Sequence, residues 1–105
     1  VTDVWKYTKT LTDGSARYDR ADMIDPNTES IQNVIKYAQD VASAVGIRYG
    51  MGHVELKAKY CQQTKSYLDP VMIEVGARLS GGRKAILTRD SVLDWDPFRA
   101  LLDAH

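Results

Sequence analysis

Gly52-His53-Val54-Glu55-Leu56-Lys57-Ala58-Lys59-Tyr60 is the stretch that decides how the chain is read. His53, Glu55, Lys57 and Lys59 alternate with Val54, Leu56, Ala58 and Tyr60. A period of two specifies a β-strand with one apolar face and one charged face. Cys61 to Asp69 is polar and reads as a loop. Pro70-Val71-Met72-Ile73-Glu74-Val75 then forms the next strand, with proline tolerated at its first position. Strict alternation points Val71, Ile73 and Val75 one way, and Met72, Glu74 and Gly76 the other.

Upstream, Val1 to Thr10 is rich in Val, Trp, Tyr and Thr, the residues of a strand. Asp13-Gly14-Ser15 signals a turn, and Ala16 to Ile24 supplies a second strand, so the segment reads as a hairpin. Asp25-Pro26-Asn27-Thr28 provides a stop and N-cap candidates for a helix. Apolar residues follow at Ile31, Val34, Ile35, Ala38, Val41, Ala42 and Val45, a 3.6-residue stripe that calls for core packing. Gly46 is placed to end that helix as its C′ residue. Downstream of Gly81-Gly82, residues Arg83 to Thr88 predict a short helix. Asp96-Pro97 opens a last one, with proline at N1 and contacts at Phe98, Leu101 and Leu102. The order ββαββαα argues for an α+β fold, an antiparallel sheet with helices packed on one face, in one domain over residues 1–105.

Pairing the two central strands antiparallel with Val54 beside Val75 sets Glu55 opposite Glu74. Opposed residues hold their Cβ atoms about 4.5–5.5 Å apart. Two carboxylates about 5 Å apart at an effective dielectric of about 20 repel by roughly 3 kcal/mol. Three kinds of relief are open at this point: a proton held on one glutamate, a salt bridge from Lys57 or Arg78, or a divalent cation. All-oxygen ligation suits Mg²⁺, which keeps several waters and binds beside substrate phosphates. Arg78 stands four positions after Glu74, and its planar fork suits carboxylate or phosphate. Ser80-Gly81-Gly82 lets backbone N–H groups approach an anion.

Composition narrows the field. Fourteen basic and fourteen acidic residues give a formal charge of zero, which supplies no bulk field for nucleic acid or an anionic membrane. No run approaches the roughly 20 apolar residues of a membrane span. The single cysteine, Cys61, forbids an intrachain disulfide and suits a reducing, cytoplasmic setting. With only His53 and His105 beside it, no Cys/His zinc site can be built. The chain opens at Val1 in a β-like run and its first methionine is Met23, so a piece of a longer protein is expected.

At these residues the chain resembles the ATP-grasp superfamily. The pattern is a glutamate on one strand, here His53-Val54-Glu55, then Glu-x-(Asn or Gly)-x-Arg and a glycine turn, here Glu74-Val75-Gly76-Ala77-Arg78-Leu79-Ser80-Gly81-Gly82. Val1-Thr2-Asp3-Val4-Trp5-Lys6-Tyr7 and Ala44-Val45-Gly46-Ile47 look like the branch of amino-acid ligases. The resemblance implies the carboxyl-terminal subdomain of an ATP-grasp fold. It implies that Glu55 and Glu74 hold Mg²⁺ (or Mn²⁺) and that Arg78 stabilises the transferred phosphoryl group. Lys57 would reach a phosphate, and Ser80, Gly81 and Gly82 would line the carboxylate-substrate side. ATP would be the co-substrate, with a small carboxylate and an amine as partners. The pattern departs at Gly76, where many members carry a metal-ligating asparagine. The glycine-rich lid and ATP-binding lysines of the upstream half have no counterpart here, so the isolated chain is expected to be inactive.

His53 reads as a polar residue on a solvated strand face, or as an acid/base two residues from Glu55. Trp5 and Trp95 read as packing residues. The reading from another class is a non-catalytic interaction domain that uses its sheet to bind a partner or, as a homodimer, itself.

Overall fold

A run rich in β-branched and aromatic residues ahead of an Asp-Gly pair, and a more polar run behind it, build the first element of the fold. The computed structural model of the protein describes residues 1, 3–78, 99, 102 and 103. Strands β1 (Val4–Thr12) and β2 (Ser15–Ile24) pair antiparallel through a two-residue turn. Asp13 and Gly14 both take positive φ, 51° and 78°, the type I′ geometry whose twist matches that of the flanking strands. Asp19 is an extra residue on β2, because Thr8 pairs with Arg20 and Lys9 with Tyr18.

Between the hairpins the chain turns helical. Asp25 Oδ1 accepts from the Asn27 amide at 2.8 Å, and the Asp25 carbonyl from the Thr28 amide at 2.9 Å. A 3₁₀ turn at Glu29–Ile31 then leads into α1 (Gln32–Ala44). Thr28 caps the turn without a side-chain hydrogen bond. Gln32 instead reaches back to the carbonyls of Pro26 and Thr28, at 2.9 and 2.8 Å. At the other end Gly46 takes φ +84°, its N–H donates to Ser43 O, and the Ile47 N–H donates to Ala42 O. This pair of bonds is a Schellman motif, with Gly46 at the C′ position expected for it. Ile31 is buried, while Val34, Ile35, Ala38, Val41 and Ala42 are half-buried and Val45 is exposed.

Strands β3 (His53–Cys61) and β4 (Ser66–Gly76) form the second hairpin, against which α1 packs. The expected loop from Cys61 to Asp69 is corrected to residues 62–65, with Lys65 at φ 51°. The polar spelling hid a strand whose partners are Tyr60 for Tyr67 and Lys59 for Leu68. The Tyr60 and Tyr67 rings lie 5.1 Å apart at 58°, a cross-strand aromatic pair.

Two irregularities break β4. Glu55 pairs with Glu74 but Leu56 with Met72, leaving Ile73 as an inserted residue. Lys57 pairs with Val71 and Lys59 with Leu68, which accommodates Asp69, at φ 52°, and Pro70. The strict alternation expected for β4 therefore fails at Ile73, and Met72 no longer shares a face with Glu74. The freed Met72 N–H donates to Tyr37 Oη of α1 at 3.1 Å, so the helix satisfies the donor released by the bulge.

One continuous sheet was the expectation, and the described residues correct it to two separate two-stranded sheets, β1–β2 and β3–β4. Both are antiparallel, so the α+β class holds. Side chains link them. Lys9 Nζ lies 3.9 Å from Glu55 Oε1, and Lys6 Nζ stands 5.7 Å from the centre of the Tyr67 ring. Arg99, Leu102 and Asp103 have helical backbone, but the helices expected at 83–88 and from Asp96 lie outside the described residues. No described helix is long and apolar enough to cross a membrane.

Candidate functional site

The register assumed for the two central strands, Val54 beside Val75 and Glu55 opposite Glu74, is the one found, with His53 opposite Gly76. Two like charges thus sit side by side on neighbouring strands, at the last regular pair before the Ile73 bulge. Each carboxylate meets a cation from a different direction. Arg78 Nη2 donates to Glu74 Oε1 at 3.2 Å, across the end of the same strand. Lys9 reaches Glu55 from the first hairpin. The Glu55 side chain retains 22% of its exposure and Glu74 55%, so the first carboxylate sits in the lower dielectric.

Lys57 was one of two expected salt-bridge donors to the pair. It lies opposite Val71, is exposed, and has no carboxylate partner among the described residues. Lys9 takes that role with Glu55. Nothing local in the sequence signals Lys9, because its part depends on how the two hairpins sit together. Ser80, Gly81 and Gly82, assigned to the substrate side, lie outside the described residues, as does Trp95.

His53 is half-buried rather than solvated. Its Nδ1 atom is shut off from solvent and has no hydrogen-bond partner among the described residues. A buried polar atom of this kind is costly, and it lies at the mouth of the hairpin two residues from Glu55. Gly76, opposite it, has room for a side chain. A Cβ added there would touch Arg78 Cγ at 3.6 Å and Nε at 3.7 Å, ordinary contact distances.

Among the described residues no three His, Cys, Asp or Glu side chains converge as a closed metal cage. Two opposed carboxylates beside an arginine are nonetheless a donor set that fits Mg²⁺. That ion takes one or two carboxylates and fills its octahedron with water and phosphate oxygens. At the hairpin's other end Cys61 pairs with Ser66. Hydrogen bonds from the Thr64 hydroxyl and from the Thr64 and Gln63 amides lower its thiol below the ordinary value of 9.0. No protein-family model, no curated protein and no solved structure matches the chain.

Proposed function

We propose that the chain is the metal- and phosphate-binding half of an ATP-dependent carboxylate–amine ligase of the ATP-grasp type, working through an acyl-phosphate. The observation that carries the reading is Glu55 opposed to Glu74, with Arg78 on the outer carboxylate. Glu55 and Glu74 would hold the divalent ion, which supplies neutralisation of phosphate charge. Arg78 can swing from Glu74 to a phosphoryl oxygen when that carboxylate is otherwise engaged, and its fixed charge then favours the transferring group. Lys57, exposed on the neighbouring strand, would contact a nucleotide phosphate. Ser80, Gly81 and Gly82 would line the side where the carboxylate is activated. The amine then displaces phosphate from the acyl group, a step that depends on positioning and charge rather than on a protein nucleophile. The chain would need an upstream nucleotide-binding half for turnover.

A titration of Mg²⁺ against backbone amide shifts tests the site. Saturable shifts centred on Glu55 and Glu74 are expected at millimolar metal. A folded protein with no shifts there defeats the preformed site. In the complete enzyme Glu74→Gln should abolish ligase activity, and full activity of that variant removes the catalytic reading.

The second reading, a non-catalytic interaction or dimerisation domain, draws on β4. Val71, Met72 and Ile73 leave 62%, 40% and 47% of their surface exposed in one run. Sedimentation decides it: a dimer that Ile73→Lys dissociates supports this reading, and a monomer at high concentration removes it.

A further inference from the structure

We infer that the cleft between the two hairpins is a binding site for an amphipathic organic acid, one anionic group on an aromatic or branched apolar body. The cleft is half open to solvent, has a volume of about 420 Å³, and is bounded by β1 on one side and β3 on the other. Its volume falls in the range of small-molecule sites, roughly 300–1,000 Å³.

The walls set the chemistry of the occupant. Trp5 and Tyr67 contribute aromatic surface, and Ile24, Ile31, Leu56 and Ile73 contribute aliphatic surface. The Trp5 indole N–H already donates to Asp3 Oδ2 at 2.8 Å, so the ring makes no polar demand on a ligand. The charged lining is unbalanced: Lys6, Lys9 and Lys57 face it with Glu55 as the one carboxylate. Lys9 is engaged with Glu55. Lys6 is held over the Tyr67 ring, which fixes a cation above apolar surface; Asp22, opposite it on β2, is taken up by Arg20 at 2.9 Å, and Lys57 stands opposite Val71. A chain of zero formal charge has thus placed a local cationic excess around an apolar hollow. Such a hollow favours an anion with an apolar body over a cation of the same shape. It also favours that anion over a small one, which leaves the walls wet.

The inference shares Glu55 and Lys57 with the proposed metal site but does not rest on it, and its test contains no metal. Naphthylacetate is titrated into the protein while amide shifts and the Trp5 indole N–H resonance are followed. Naphthylethylamine serves as the cationic counterpart, and acetate as the anion without a body. Saturable shifts centred on residues 4–9 and 55–58, and reaching Ile24, Ile31, Tyr67 and Ile73, are expected for naphthylacetate alone, with a Kd of roughly 1 mM for a ligand of this size. Lys6→Gln and Lys57→Gln should each weaken binding about three- to tenfold. Lys36→Gln, on the exposed face of α1 where Lys36 pairs with Asp40, should leave it unchanged. Equal binding of acid and amine reduces the cleft to a nonspecific apolar hollow and overturns the inference. So does binding of acetate with the same shifts, insensitivity to both lysine substitutions, or absence of shifts at about 10 mM. None of these results bears on the Mg²⁺ titration at Glu55 and Glu74, so the two readings fail separately.

Discussion

Replacing Glu55 and Glu74 by glutamine, singly and together, measures the interaction on which the metal site depends. Directly opposed residues hold their Cβ atoms about 5 Å apart. At that separation two unit charges repel by roughly 3 kcal/mol at an effective dielectric of 20 and by roughly 0.8 kcal/mol in bulk water. With side-chain exposures of 22% and 55%, the pair lies between these limits, nearer water on the Glu74 side, and about 1 kcal/mol is expected. Each single substitution relieves the repulsion once, and the double substitution also relieves it only once. The double variant should therefore be less stable than the sum of the singles predicts by that same ~1 kcal/mol. The ion pairs with Lys9 and Arg78 contribute to each single value and cancel from the coupling to first order. Urea unfolding followed by circular dichroism gives the four free energies, and the coupling should shrink in about 1 M salt, where the Debye length is ~3 Å. Adding Mg²⁺ at ten times its Kd should stabilise the wild type by ~1.4 kcal/mol and the double variant by far less. A coupling of zero at low salt would mean that the carboxylates diverge and that no cation is needed between them.

Three other outcomes follow from local geometry. Gly46→Ala places a Cβ in open space at φ +84°, so its cost is backbone strain alone, about 1–2 kcal/mol, read as a lower urea midpoint at unchanged slope; an unchanged midpoint would contradict the Schellman geometry. Gly76→Asn should fold normally, because the added Cβ meets Arg78 only at ordinary contact distance, and should tighten Mg²⁺ binding in calorimetry; failure to fold would show the site to be tighter than described. The Cys61 thiolate, favoured by the Thr64 and Gln63 donors, should give a pH profile of alkylation with its midpoint below the ordinary thiol value, and Thr64→Val should move that midpoint back up. Since the folded state lowers this pKa, the associated stability is fully present above the ordinary value and is lost as pH falls through the folded one.

What the sequence disclosed depended on how local each determinant is. The Asp13-Gly14 turn, the Gly46 helix end and the alternating faces of β3 were legible because a backbone requirement or a period of two expresses them within a few residues, whereas the pairing of Val54 with Val75 had to be assumed. Ser66-Tyr67-Leu68 spells a loop by its polarity, and only the pairing of Tyr67 with Tyr60, a contact made across the hairpin, makes it strand. Ile73 left no trace, since a bulge adds one residue without changing composition. In the candidate site, Glu55, Glu74 and Arg78 were found from spacing along two strands. Lys9 was not, because it arrives from the first hairpin, more than forty positions away in sequence from Glu55.

Ile73 has a consequence for any attempt to shorten or lengthen this region. Residues on either side of it in β4 are counted in opposite phase, so parity rather than identity assigns side chains to a face. A substitution at Ile73 alters one side chain. Its deletion would leave Met72 opposite Leu56 and Glu74 opposite Glu55 as neighbours in a regular ladder, and would remove the bulge that hands the Met72 N–H to Tyr37. A residue lost from a regular stretch of β4 has no such slack and turns one side of the strand over by one step.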